Sequence, residues 1–260
     1  MKIKPAIKLS ALPFLVLGAG GTGLVLRVLL YTLGEDSRGL LPRWHYLHIL
    51  TLLLTVVVTA GLLHTIWGLA GSSRYKKNFP ASVPAGISTI LCAGWMLLYA
   101  FSALERITSK LDSLLVILAF ACVPCLVVTG LCRIRGKRPF FGFHAILCVF
   151  CIIHLLNQYR VWSGNPQLPD YLFQVFACIS LTLTAYYRTA FDLGMGRRRL
   201  YLFSNLMAVY LCFLSLVGSG DGRFYFGGGV WALANLCVLD PPPRQVKPDT
   251  IRIPTDPERM

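Results

Sequence analysis

The stretch Tyr46-Leu-His-Ile-Leu-Thr-Leu-Leu-Leu-Thr-Val-Val-Val-Thr-Ala-Gly-Leu-Leu63 decides the fold class of this chain. The run continues to residue 70 without one Asp, Glu, Lys or Arg. A helix that crosses about 30 Å of hydrocarbon at 1.5 Å per residue needs about 20 such residues, and this segment supplies them. Comparable runs lie near residues 9–33, 82–104, 114–132, 140–161, 171–187 and 200–218. A shorter one near 224–239 has 16 residues, just under the usual minimum of about 17, and Gly227, Gly228 and Gly229 make it a candidate re-entrant segment.

These runs predict an all-α, polytopic membrane protein with about eight transmembrane helices. Composition agrees. Of 260 residues, 55% are hydrophobic and 14% charged, against about a quarter charged in soluble domains, so lipid has to cover surface that charge cannot. The net charge of +14 does not point to nucleic acid, because the basic residues form short clusters between apolar runs rather than a basic helix face.

Those clusters alternate. Eighteen Lys and Arg fall on one side of the predicted bundle, among them Lys2, Lys4, Lys8, Arg74, Lys76, Lys77, Arg133 and Arg197 to Arg199, whereas six fall on the other: Arg38, Arg43, Arg106, Lys110, Arg160 and Arg223. Cytoplasmic loops retain positive charge, so both termini are expected in the cytoplasm and the protein in the plasma membrane. The basic loops then meet anionic lipid headgroups. Residues 1–239 read as a single transmembrane helical domain. Residues 240–260, with six prolines and no apolar periodicity, read as a disordered cytoplasmic tail. The basic start is followed by an apolar run too long for a signal-peptide core, so the first segment is expected to stay as an anchor.

Several motifs have a chemical and a packing reading. Gly18-Ala-Gly20-Gly-Thr-Gly23 spells a dinucleotide fingerprint, but Glu35 and Asp36 follow an uninterrupted apolar helix instead of a second strand. Small residues at this spacing are contact surfaces between membrane helices. The pairs Cys122-Val-Pro-Cys125 and Cys148-Val-Phe-Cys151 have the spacing of metal ligands, yet at membrane depth all nine cysteines read as small reduced hydrophobes and no metal site is assigned. Among the histidines, His48 with His154 and His64 with His144 fall at matched depths, the arrangement a haem b would use. No cofactor is the primary expectation, with haem b as the alternative.

The non-basic ends of several spans are polar. Arg27, Glu105, His154, Gln158, Arg160, Asp170 and Gln174 are the candidate ligand-binding residues, with Arg27 and Arg160 holding an anionic group and Asp170 or Glu105 supplying counter-charge. No catalytic constellation of the Ser-His-Asp, paired-carboxylate or HExxH kind is present at compatible depth.

Short segments carry a resemblance: Arg27-Val-Leu-Leu-Tyr-Thr-Leu-Gly-Glu35, Arg138-Pro-Phe-Phe-Gly-Phe-His144, Pro166-Gln-Leu-Pro-Asp-Tyr-Leu-Phe-Gln174, Ala190-Phe-Asp-Leu-Gly-Met-Gly-Arg-Arg198 and Trp231-Ala-Leu-Ala-Asn-Leu-Cys237, with Pro241-Pro-Pro-Arg244. In these the chain resembles a group of uncharacterised multi-pass membrane proteins of Gram-positive anaerobic bacteria. That resemblance implies a fold and a membrane location and carries no activity. Three functions stay open: small-solute binding or transport, a quinol- or haem-linked anchor of an electron-transfer complex, and a structural or regulatory scaffold with an unassigned protein partner.

Overall fold

A computed structural model describes residues 11–34, 45–69, 71–162, 171–218 and 221–239. The tail at 240–260, the first ten residues and Asp170 lie outside the described residues. Every regular element among those described is helical: α1 (Leu12–Leu33), α2 (Tyr46–Trp67), α3 (Tyr75–Asn78), α4 (Val83–Leu104), α5 (Lys110–Ile134), α6 (Phe141–Trp162), α7 (Leu172–Asp192), α8 (Arg198–Leu214) and α9 (Gly222–Ala234).

Local chemistry sets the helix ends. Ser109 and Asp112 form a reciprocal capping box, so α5 starts four residues before the apolar run at Leu114. Ser82 caps α4 by accepting from Ala85 N at 3.4 Å, and a proline stands in the first turn of both α1 and α4. Gly136 and Gly194, with φ of +63° and +85°, follow the C-caps of α5 and α7, a turn that L side chains rarely enter.

Cross-helix contacts show an up-and-down bundle with two distinct ends. Ser82 N to Arg133 O, His144 to Asp192, Arg199 to Leu69 O and Tyr201 to Asn235 O join chain ends at the basic end. At the opposite end, Asn157 to Asp112, Gln158 to Asp221 and His48 against Phe173 do the same. Neighbouring helices in the chain therefore run antiparallel, as short connections require.

Five helices, α1, α2, α4, α5 and α6, are long and apolar enough to cross a membrane. Their outer surfaces are greasy: on α2, Leu53, Val56 and Val57 are each at least 60% exposed. A continuous apolar surface of that size has no place in water and suits hydrocarbon. The threonines of α2 are compatible with this because Thr51, Thr55 and Thr59 each donate back to a carbonyl four residues earlier.

The other three long helices differ from the expectation of uniform spans, for a packing reason. Helix α8 has 17 residues, of which 13 are buried against α1, α2, α7 and α9. A helix sheathed by protein does not need an apolar surface, and α8 carries Ser204 and Asn205 inside. Helix α7 likewise buries Gln174, Thr184, Arg188 and Asp192. Helix α9 has 13 residues, about 20 Å at 1.5 Å per residue, and its glycines admit close neighbours: a Cβ on Gly227 meets Trp95 at 2.4 Å and one on Gly228 meets Leu181 at 2.7 Å. It is one continuous helix.

The glycine run of α1 lies wholly within that helix. Gly20 and Gly23 face Phe213 and Leu214 of α8, where added Cβ atoms fall 3.1 and 2.6 Å from side-chain atoms, while Gly18 and Gly21 face open space. This is the three-residue contact stripe of a helix pair.

Candidate functional site

The capping box that starts α5 also builds the polar end of the bundle. Asp112 Oδ2 accepts from Thr108 N at 3.1 Å, Ser109 N at 2.8 Å and both hydroxyls, and Asp112 Oδ1 accepts from Asn157 Nδ2 of α6 at 2.8 Å. One carboxylate thus satisfies a helix start and ties it to the next helix. The next residue of α6, Gln158, donates through Nε2 to Asp221, the residue that precedes α9. Burial pushes the Asp221 carboxyl above its ordinary range; the nearby Arg106 charge and the Gln158 hydrogen bond pull it part of the way back.

These groups surround a cavity of about 150 Å³, with Ser102, Arg106, Asp112, Asn157, Gln158 and Asp221 contributing its polar lining. The space holds several waters or a solute of similar size. Its floor is Tyr99, whose hydroxyl lies 3.2 Å from Nδ1 of His154. His154 has no exposed surface, and its ring packs on Phe224 with centroids 3.9 Å apart. Tyr99 also roofs a second, apolar cavity of about 40 Å³ among Met96, Leu126, Cys151, Leu181 and Gly228. A polar chamber, an aromatic partition and a smaller apolar chamber therefore follow one another along the bundle axis.

The residues singled out from the sequence divide accordingly. Gln158 lines the chamber and His154 supports its floor. Arg160 is exposed beside it and donates to Ser109 Oγ at 3.0 Å. Glu105 is exposed at the C-cap of α4. Arg27 and Gln174 belong elsewhere. Arg27 is buried in α1, donating to Tyr31 Oη at 3.0 Å with its guanidinium 5.0 Å from the centroid of Phe173, and Gln174 is buried in the first turn of α7. The structure thus does not bring Arg27 and Arg160 to one anion. Asp112 and Asp221 face the chamber instead, with Arg106 the cation on its lining.

Two signals for these residues stood in the sequence. Ser109-Lys-Leu-Asp112 is a capping-box spacing, and Arg106 and Asn157 occupy helix ends; Asp221, in a glycine-rich turn, had none. The histidines have separate partners: His144 Nδ1 is 2.6 Å from Asp192, and His48 packs edge-on against Phe173. All nine cysteines are free thiols, and no group of three or more His, Cys, Asp or Glu side chains fit to hold a metal occurs among the described residues. Compared with known proteins, the chain matches no protein-family model, no curated protein and no solved structure.

Proposed function

We propose that the chain is a multi-pass plasma-membrane protein with eight membrane-inserted helices and cytoplasmic termini, and that it binds a small cationic or zwitterionic solute from the non-cytoplasmic side. The carrying observation is the 150 Å³ chamber with Asp112, Asp221 and Arg106 on its wall. Asp112 is tied by hydrogen bonds from Thr108, Ser109 and Asn157, which hold it in place as a fixed negative charge. Asp221 has one amide partner, Gln158, and is the better placed of the two to exchange that partner for an ammonium group. Arg106 suits a carboxylate on the same solute. Tyr99, shared by both chambers, is the partition that a transport cycle has to move.

Thermal unfolding of the purified protein in detergent, screened against small amines and amino acids, tests the reading. Solutes carrying a primary ammonium raise the midpoint in wild type, by mass action on the folded state, and fail to do so in Asp221→Asn. Uptake into proteoliposomes then separates binding from transport. An Asp221→Asn protein that folds, binds and transports like wild type ends the proposal.

A further inference from the structure

Positive charge gathers at the end of the bundle opposite the chamber. Eleven described Lys and Arg side chains lie there against a single carboxylate, Asp192, which already holds His144 at 2.6 Å, so the excess has no internal answer among the described residues. Two buried cations stand out. Arg133 and Arg188 are 5% and 2% exposed, and their guanidinium groups share one ring, Phe79, at 5.1 and 3.7 Å from its centroid. Arg188 donates to Tyr75 Oη at 3.2 Å, while Nε and Nη1 of Arg133 are buried without a hydrogen-bond partner among the described residues. Buried charge is ordinarily paired.

At the same end of the bundle lies a cleft of about 810 Å³. One wall holds Ser72 and Arg74, just before the short α3 that carries Tyr75, and Lys77 on it; the other holds Arg197, Arg198 and Arg199. No acidic side chain lines it. The second wall is the start of α8, where Arg197 is the N-cap, makes no side-chain cap and is followed by no acidic residue in the first turn. Peptide dipoles concentrate positive partial charge at that point, so three arginines there oppose the helix and favour an anion.

We propose that this cleft binds a phosphate group. Planar guanidinium forks on two walls, serine hydroxyls and free N–H groups of a helix start are the donor set for a tetrahedral anion with several acceptor oxygens, more than for a single carboxylate. The same chemistry is offered by the headgroup of an anionic phospholipid and by a soluble phosphate, and the experiment separates them.

The full-length protein is placed in nanodiscs of phosphatidylcholine, with and without phosphatidylglycerol, and its unfolding midpoint is followed during titration with inorganic phosphate against potassium chloride of equal ionic strength. A phosphate-dependent rise in neutral discs assigns the soluble anion; a rise only with phosphatidylglycerol assigns the headgroup. Either supports the site. Arg197→Gln, and separately Arg74→Gln with Lys77→Gln, weaken the response at least about tenfold, the loss expected for hydrogen bonds to a charged group. Without anion Arg197→Gln unfolds no earlier than wild type, because a cation at the N-cap opposes the helix dipole and Arg199, whose Nε donates to Leu69 O at 2.6 Å, is left in place; this keeps a binding defect distinct from a folding one. The proposal is overturned if neither phosphate nor phosphatidylglycerol shifts the midpoint beyond chloride, or if both wall variants respond as wild type does.

Discussion

Asp112 combines three tasks in one side chain, because its oxygens close the α5 cap, hold Thr108 and reach Asn157 across to α6. Asp112→Ala removes the cap and the link together and is expected to cost about 1–2 kcal/mol, seen as a lower unfolding midpoint in detergent. A double-mutant cycle with Asn157→Ala should return a coupling of about 0.5–3 kcal/mol; a coupling of zero means that the cross-helix bond carries no stability. Asp221 behaves in the opposite sense. Its folded-state carboxyl is raised, so the protonated form is favoured by folding. Stability from this group is complete below the ordinary carboxyl range, about 3.9, and is lost as pH rises through the raised value. The wild-type midpoint should therefore carry a component that falls as pH climbs above about 4. Asp221→Asn keeps an acceptor for Gln158 and lacks that component, so at neutral pH it unfolds later than wild type; an unchanged pH slope refutes the assignment. Residues of this kind were only half legible. His154 and Gln158 announced themselves as polar groups at a helix end, but the partner of Gln158 lies 63 positions away in a turn with no periodicity to mark its depth.

Helix pairing shows the reverse. Helices α4 and α5 approach so closely that a Cβ on Gly86 falls 2.7 Å from Gly130 O, and one on Gly130 falls 2.8 Å from Gly86 O. Backbone cannot swing aside as a side chain can. Gly86→Ala is expected to cost about 1–3 kcal/mol and to broaden the protein's elution in detergent, whereas Gly94→Ala, with nothing within 4 Å of the added carbon, leaves both unchanged. Equal behaviour of the two variants would show that the hairpin relaxes freely. At this scale the apolar runs foretold the elements well where lipid is the neighbour, as in α2 and α4. They did less well where protein is the neighbour. Helix α7 continues from Tyr187 to Asp192 because Arg188 and Asp192 are buried at the basic end, against Tyr75 and His144, and need no apolar stretch to stay helical. Helix α3, four residues long, has no periodic signal to offer.

For the molecule as a whole, the strongest legible feature was the imbalance of charge between its two ends. A reporter fused after Arg106 should be active only as alkaline phosphatase, and one fused after Lys77 only as a fluorescent protein, if the basic end is cytoplasmic. The inverse pattern would turn the chamber toward the cytoplasm and redirect the solute proposal. What the sequence could not disclose is that α8 is the axis around which α1, α2, α7 and α9 close, since burial by protein and burial by lipid leave similar apolar letters.

Helix α9 adds a consequence for energetics. It begins at Asp221 in the polar chamber and ends at Asn235, which accepts Tyr201 at the basic end, so about 20 Å of helix links two polar regions, against the about 30 Å of a typical hydrocarbon core. With α9 inserted in the membrane as proposed, an applied voltage would drop over this thinner septum. A cation bound beside Asp221, as proposed, would then stand part-way into the electric field, whose full drop is worth about 2.3 kcal/mol per charge per 100 mV, and its residence there should follow the membrane potential.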